Sequence, residues 1–593
     1  MKKIIFLFLL FLLVDLSGIA CEINTCEANY LDSTQSNAAA HAPRRKPTGF
    51  SYPRGYFASP VDVPILLAGT FGELRPNHFH GGIDIKTQQR EGLNISAVAE
   101  GYVSRINVSG SGYGNCLYIT HPNGYTSVYG HLKSFNAAIT AYLRTQQYAE
   151  QRSIIDLKIQ PGVLNVSKKE IVALSGNTGG SQGPHLHFEI RDTGNEETIN
   201  PLLFGFSVED NIKPNVGGLM MYTFDDNNKQ TSRKSVVLSK KNGIYYAATQ
   251  TVNSPNVSFS LNTQDAMNNS DGNNGIFSIS TKLNGSPYFR YVMERFSFAN
   301  SRAIHAHIDY EFLENKGGRY HRAHTLVNDK LECYREQINN GIFQLSDTAT
   351  QTVTIAIDDA NYNTVYITIP LRYNSTLTPV AAYTPAHRQI LYCLQDNTFN
   401  QNGLQCVFPE GVFYEDVYFN HTSAPSVSPT IFSNIHQVHN DNIPIHTFYE
   451  MKIEARNLTF DKAGKALIIY EDESGKKINR GGVWDGQYVS GKAREFGKFY
   501  VTLDETPPTI SLSNKPTVVG GVISFRIADN LSGIDQFSLY IDNTWQVLQY
   551  DAKSSRVWFA LNDEIRAGAH TYQLDVNDER GNSNSMQGNF TIY

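Results

Sequence analysis

Residues 176–190 read GNTGGSQGPHLHFEI. The first part is a Gly/Ser loop. Leu186 to Ile190, which follows it, is short, β-prone and bounded by Gly and Pro, the pattern of a strand. On a strand, residues i and i+2 face the same side. His185 and His187 therefore project together, about 7 Å apart at the backbone from two residues of rise. Glu189 continues that face, where it could accept a hydrogen bond from His187. Similar β-prone segments precede this one: Val98–Ile106, Cys116–Thr120 and Thr126–Tyr129. One helical insert interrupts them. Phe135, Ile139 and Tyr142 have helical spacing after Ser134, and the stretch to Arg152 lacks Gly and Pro.

Two further motifs lie upstream. Residues 77–84 read NHFHGGID and hold an H-x-x-x-D pattern, His80 and Asp84. The residue four after His78 is Gly82, so His78 is read as a groove neighbour. Residues 129–132 read YGHL and supply His131. His121 follows a strand at a Pro-Asn-Gly turn and reads as structural. Imidazole and carboxylate donors suit zinc, and two His with one Asp would leave a fourth position open for chemistry. No H-E-x-x-H occurs, so the glutamate base of that peptidase class is missing. Proton transfer would then fall to histidine.

The set H-x-x-x-D, G-H-L and G-P-H-L-H-F-E, in this order, resembles the lysostaphin/LytM-type zinc metallopeptidases of bacterial cell walls. The Gly/Ser loop is similar too, and the resemblance covers about residues 64 to 192. It implies that His80, Asp84 and His187 hold one zinc ion and that His131 and His185 are the catalytic pair. It implies a small antiparallel β-fold with the site in a groove. It also implies metal-assisted hydrolysis of amide bonds in peptidoglycan cross-links.

The rest of the chain sets the frame. At 593 residues it is too long for one core. With 41% hydrophobic and 18% charged residues it is globular rather than disordered. A net charge of −6 argues against a nucleic-acid partner, and 11% aromatic residues lean towards β-structure. Lys2 and Lys3 precede an apolar run from Ile4 to Val14, too short to span a membrane, and Gly18-Ile-Ala20 reads as a cleavage site. No later stretch reads as a transmembrane helix. Export to the periplasm or cell envelope is expected, with Cys21 a candidate lipid anchor.

The expected organisation is a signal peptide at 1–20, a linker at 21–48 and a LytM-type metallopeptidase domain at 49–204. β-rich domains at 205–375 and 376–505 and an immunoglobulin-like sandwich at 506–593 follow. The fold class is thus mainly β, an antiparallel peptidase domain followed by β-sandwich modules. Asp504-Glu-Thr-Pro-Pro508 marks the last boundary. Cys393 and Cys406 could pair across a loop in an oxidising compartment. His305, His307, His436, His439 and His446 lack an acid at matching spacing and read as packing or surface histidines.

Two other functions fit the same architecture. One is a non-catalytic LytM-like regulator of cell-wall hydrolases, which requires a missing ligand. The other is a surface binding protein whose β-domains engage a glycan or an envelope protein partner.

Overall fold

The computed structural model describes residues 51–593, apart from residues 270, 271, 273, 347, 348, 518–520 and 562–564. The signal segment, the linker at 21–48 and Cys21 lie outside the described residues. Among the described residues no helix is long and apolar enough to cross a membrane.

The fold is mainly β. In the first part of the chain an antiparallel sheet runs in the order Leu67–Gly69, Ile83–Lys86, His185–Asp192, Tyr125–Phe135, Asn115–Thr120, Gly101–Val108, Asn165–Val166. Strand alternation sets its two faces. Leu186, Phe188 and Ile190 are fully buried in the apolar core, which turns His185, His187 and Glu189 to the opposite face. A one-residue slip would exchange these sets, so the apolar residues fix the register that aims the histidines.

The helix begins later than the spacing suggests. Ser134 and Phe135 still belong to the preceding strand, paired with Leu174 and Ala173. Helix Ala137–Glu150 starts after Asn136, whose side chain accepts the N–H of Ile139 at 3.0 Å. Ile139, Leu143 and Gln147 form its buried face, while Tyr142 is half-buried.

The core of this first part continues without a break into residues 215–373. Thr198–Ile199 pairs with Arg295–Phe296 and carries the sheet across. Phe71 and Phe79 meet Phe296 with ring centroids 5.2 and 5.8 Å apart. Residues 389–503 form two five-stranded sheets and one two-stranded sheet around a second core. Residues 509–592 form two four-stranded sheets around a third. That last unit touches the first. Tyr148 packs edge-on against Trp545 at 5.5 Å, Ser153 Oγ accepts the N–H of Leu548, and Lys553 Nζ donates to the carbonyls of Asn177 and Ser181 at 2.7 and 2.9 Å.

The expected pairing of Cys393 with Cys406 is not formed; both are buried free thiols. Cys406 lies mid-strand, opposite Phe399 and Met451, and packs into the second core. The backbone at Cys393 is held by the Asp416 carboxylate at 3.0 Å.

Because Asn136 supplies the N-terminal cap, Asn136→Ala is expected to cost about 1 kcal/mol of stability. Chemical denaturation of the two proteins checks this, and an unchanged midpoint would contradict it.

Candidate metal and catalytic centre

Three strands bring the motif residues together. His187 is the register partner of both Asp84 and Gly130, in the two flanking strands. Asp84 Oδ1 lies 2.9 Å from His187 Nδ1, 3.1 Å from His80 Nε2 and 3.5 Å from His185 Nε2. His80 Nε2 and His187 Nδ1 are 3.1 Å apart. Gly82 makes this convergence possible, since a Cβ there would stand 2.5 Å from the Phe188 carbonyl and 3.0 Å from His187 Nε2.

His131 reaches the centre through a backbone irregularity. The pairing of its strand with Asn115–Thr120 shifts register between Asn115↔Leu132 and Leu117↔Tyr129. His131 sits in that bulge with φ 58°. Left-handed backbone at a non-glycine residue costs roughly 1–2 kcal/mol, and bulges beside active sites re-aim side chains. Its ring centroid lies 4.7 Å from that of His185 and 5.9 Å from that of His187.

Each imidazole has one nitrogen fixed on an oxygen that can only accept. His80 Nδ1 donates to the Thr70 carbonyl, His131 Nδ1 to Thr178 and His185 Nδ1 to Gly183, all at 2.8 Å. His187 Nε2 donates to Glu189 Oε1, also at 2.8 Å. These bonds set the tautomers. With a metal in place of the proton that His187 Nδ1 shares with Asp84, they would leave His80 Nε2 and His187 Nδ1 to offer lone pairs beside the carboxylate, and they leave Nε2 of His131 and His185 free of those carbonyls.

The outer partners are themselves held. Glu189 is fully buried, accepts from Arg191 Nε at 2.7 Å and takes the Tyr113 hydroxyl. Arg191 stacks on Phe298, contributed by the second part of the chain, at 4.4 Å. Asp84 Oδ2 and Glu73 share Arg75 Nη2, each at 3.0 Å. Glu189 is legible from its place on the His187 face. Tyr113, Arg75, Glu73 and Phe298 carry no local sequence signal that marks them.

Electrostatics divides the set. Burial opposes a proton on His187, but hydrogen bonds to Asp84 and Glu189, with their charges, push it up to about 9. Burial likewise opposes charge on Glu189, yet Arg191 and His187 bring it down to about 2. Against burial, the surrounding histidines hold the Asp84 carboxyl well below the usual carboxylate range. His131 is pushed down to about 3, first by burial and then by repulsion from His187 and His185, so it is neutral at pH 7.

The donor set fits a metal ion. His80, Asp84 and His187 offer ligand atoms within 4.8 Å of one another. Bonds of 2.0–2.2 Å to a tetrahedral zinc imply donor separations of about 3.3–3.6 Å, a few tenths of an ångström more than the 2.9–3.1 Å seen among His80, Asp84 and His187. His78 is exposed and bonds the Pro76 carbonyl, outside this group. His121 is buried between the Glu100 carbonyl and Ser127. His305 and His307 are packed inside the second part of the chain, His307 stacked on Tyr291 at 4.2 Å. His421 pairs with His436, and His446 with Tyr414.

Residues 78–155, which include His80, Asp84 and His131, match peptidase family M23. The chain carries an M23 peptidase domain. Residues 388–504 match a Zu5-like domain. The DD-carboxypeptidase/endopeptidase Mpg of Neisseria meningitidis serogroup B is 30% identical over 155 residues, 26% of each chain. An uncharacterized metalloprotease of Haemophilus influenzae is 32% identical over 131 residues, 22% of this chain and 21% of that one. The chain thus covers about a quarter or less of the length of these curated relatives. Among solved structures, the catalytic domain of the prophage-encoded M23 protein EnpA of Enterococcus faecalis is 26% identical, over 26% of this chain and 97% of that one, with a TM-score of 0.19.

The two carboxylates that favour a proton on His187 also favour a dication in its place, so proton and metal compete at the M23 centre. Metal affinity is expected to fall about tenfold per pH unit as pH drops from 9 to 7, read by competition with a chromophoric chelator. Glu189→Gln is expected to weaken metal binding about 10–100-fold. An affinity flat with pH, or unmoved by the substitution, would contradict this account.

Proposed function

We propose that the chain is an exported zinc metalloendopeptidase that hydrolyses amide bonds in peptidoglycan peptide cross-links. The observation that carries the reading is the convergence of His80, Asp84 and His187, with the two further imidazoles of His131 and His185 beside them.

His80 Nε2, the Asp84 carboxylate and His187 Nδ1 would hold one zinc ion. Bound zinc supplies Lewis-acid polarisation of the scissile carbonyl. His131 is neutral with its Nδ1 proton on Thr178, so its Nε2 begins as an acceptor and can take a proton from the attacking water. His185 Nε2 lies 3.5 Å from Asp84 Oδ1, which gives a proton there a carboxylate partner. In that state Nε2 can donate to the developing oxyanion and then to the leaving amine. Water adds to the carbonyl carbon, the C–N bond breaks, and the amine departs with the transferred proton.

The exported setting rests on the leader and the cell-wall substrate expected from the sequence, with Cys21 as the proposed lipid anchor. The presence of all five polar side chains favours catalysis over a purely regulatory role. The contacts of Phe298 and Lys553 with the M23 domain support a positioning role for the β-domains.

The test is incubation of purified protein with cell-wall sacculi, with and without a chelator. Chelator-sensitive release of peptide ends is expected. His131→Ala and His185→Ala should each lose about 10²-fold or more in rate while retaining zinc, whereas Asp84→Ala should lose the metal. Full activity in the His185→Ala protein, or full zinc occupancy in Asp84→Ala, would refute the assignment.

A further inference from the structure

A second group of acidic side chains meets outside the peptidase centre. Asp210, Asp265 and Asp359 come from three separate segments, and their carboxylate oxygens lie within 4.8 Å of one another. Asp265 and Asp359 are 3% and 1% exposed, and Asp210 is half-buried. Among the described residues no Lys or Arg ion pair reaches any of the three.

Asp359 has a structural role of its own. Its Oδ1 accepts the backbone N–H groups of Asn361 and Asn363, and its Oδ2 accepts Asn363 Nδ2. Asp265 differs, because its Oδ1 is buried with no hydrogen-bond partner among the described residues. Both polar atoms of the Asn274 side chain, 2% exposed, are likewise buried without partners. Asp265 and Asn274 exchange both backbone N–H···O bonds across an antiparallel bridge, at 2.9 and 2.8 Å. Residues paired in this way project their side chains to the same face. The Asn274 amide and the Asp265 carboxylate are thus carried on the same side of the bridge. Burial and the charges of Asp359 and Asp210 push the Asp265 carboxyl up to about 9. A small cavity lined by Asp210, Asp265, Asn361 and Thr70 adjoins the group.

Groups of this kind are satisfied by a cation rather than by protein donors. All the available atoms are hard oxygens, with no imidazole or thiolate among them, which selects against zinc and for an alkaline-earth ion. Mixed carboxylate and amide oxygens suit the flexible six- to eight-fold coordination of calcium better than the strict octahedron of magnesium. We infer that Asp210, Asp265, Asp359 and Asn274 form a binding site for one calcium ion.

The position gives the site a role. Gly275 follows Asn274, and its N–H donates to Thr70 Oγ1 at 2.8 Å. The Thr70 carbonyl is the group that fixes His80. Asn361 and Asn363 bond the Asp210 carbonyl at 3.4 and 3.2 Å. An ion here would pin Asp265, Asn274, the Asp359 turn and the segment leaving the M23 domain against the backbone that orients His80.

Another trio, Asp504, Asp529 and Asp578, is also close-set, and Asp529 Oδ1 is likewise buried without a partner among the described residues, but there every carboxylate also accepts loop N–H groups, from Thr506, Ser532, Leu531, Gly533, Arg580 and Asn582. The test therefore reads a difference between variants.

The experiment is titration of the metal-stripped full chain with calcium alone, by calorimetry and thermal melting. The wild type is expected to bind one more calcium per chain than Asp265→Asn, and to melt higher when calcium is added. Without calcium, Asp265→Asn should melt close to the wild type, since burial and the neighbouring carboxylates already keep the Asp265 carboxyl neutral and its Oδ1 has no hydrogen bond to lose among the described residues. With calcium the wild type should melt higher. Asn274→Ala, which likewise removes no hydrogen bond, should weaken calcium binding at least tenfold. Asp84→Ala should retain the calcium response, which separates this site from the peptidase centre. Equal calcium stoichiometry in wild type and Asp265→Asn would overturn the inference. So would destabilisation of Asp265→Asn by the same amount in both buffers, or an equal response to magnesium.

Discussion

The centre depends on one buried carboxylate surrounded by imidazoles. Asp84 Oδ1 stands within 3.5 Å of nitrogen atoms from His80, His185 and His187. Placing a charge in so enclosed a position is costly unless cationic or donor groups face it. Here those groups come from two chain segments, held in place by the antiparallel pairings of the His185–Asp192 strand. An ion at that point would satisfy the carboxylate and both lone-pair nitrogens at once. The proposed chemistry therefore follows from a requirement of the fold itself.

Holding the donors still is the work of a wider set of residues, and much of it lies outside the M23 domain. His187 is fixed through Glu189 to Arg191, which rests on Phe298. His80 is fixed through Thr70 to Gly275. The backbone N–H of Phe79 donates to Ser301 Oγ at 3.0 Å. Residues 215–373 thus share a core with the M23 domain and also brace the turn that carries His80. On the other side, Lys553 grips the Gly/Ser loop whose Ser181 hydroxyl contacts His185 Nδ1 at 3.1 Å.

Much of this was legible in the sequence because strand alternation is a local rule. The pattern at 185–190 placed His185, His187 and Glu189 on one face, and the structure has that arrangement, with Leu186, Phe188 and Ile190 buried on the other. In the last unit the stretches Val522–Ile527, Phe537–Ile541 and Thr571–Val576 alternate apolar and polar residues, and all fall within observed strands. The helix start was less legible, because pairing of Ser134 and Phe135 with a distant strand overrode local spacing. His131 could be picked from its motif, but not the left-handed bulge that aims it. Phe298, Thr70 and Lys553 were invisible as site residues, since their roles exist only through contacts between segments far apart in the chain. The Cys393–Cys406 spacing suggested a bond, but spacing says nothing about which way a mid-strand thiol faces.

The most direct measurement is diffraction at the zinc absorption edge from crystals grown with zinc. The account predicts a strong anomalous peak bonded to His80 Nε2, Asp84 and His187 Nδ1 at about 2.0–2.2 Å, with His131 and His185 near it but unbonded. A peak that recruits His131 or His185 as a ligand, or no peak between Asp84 and the two imidazoles, would contradict it.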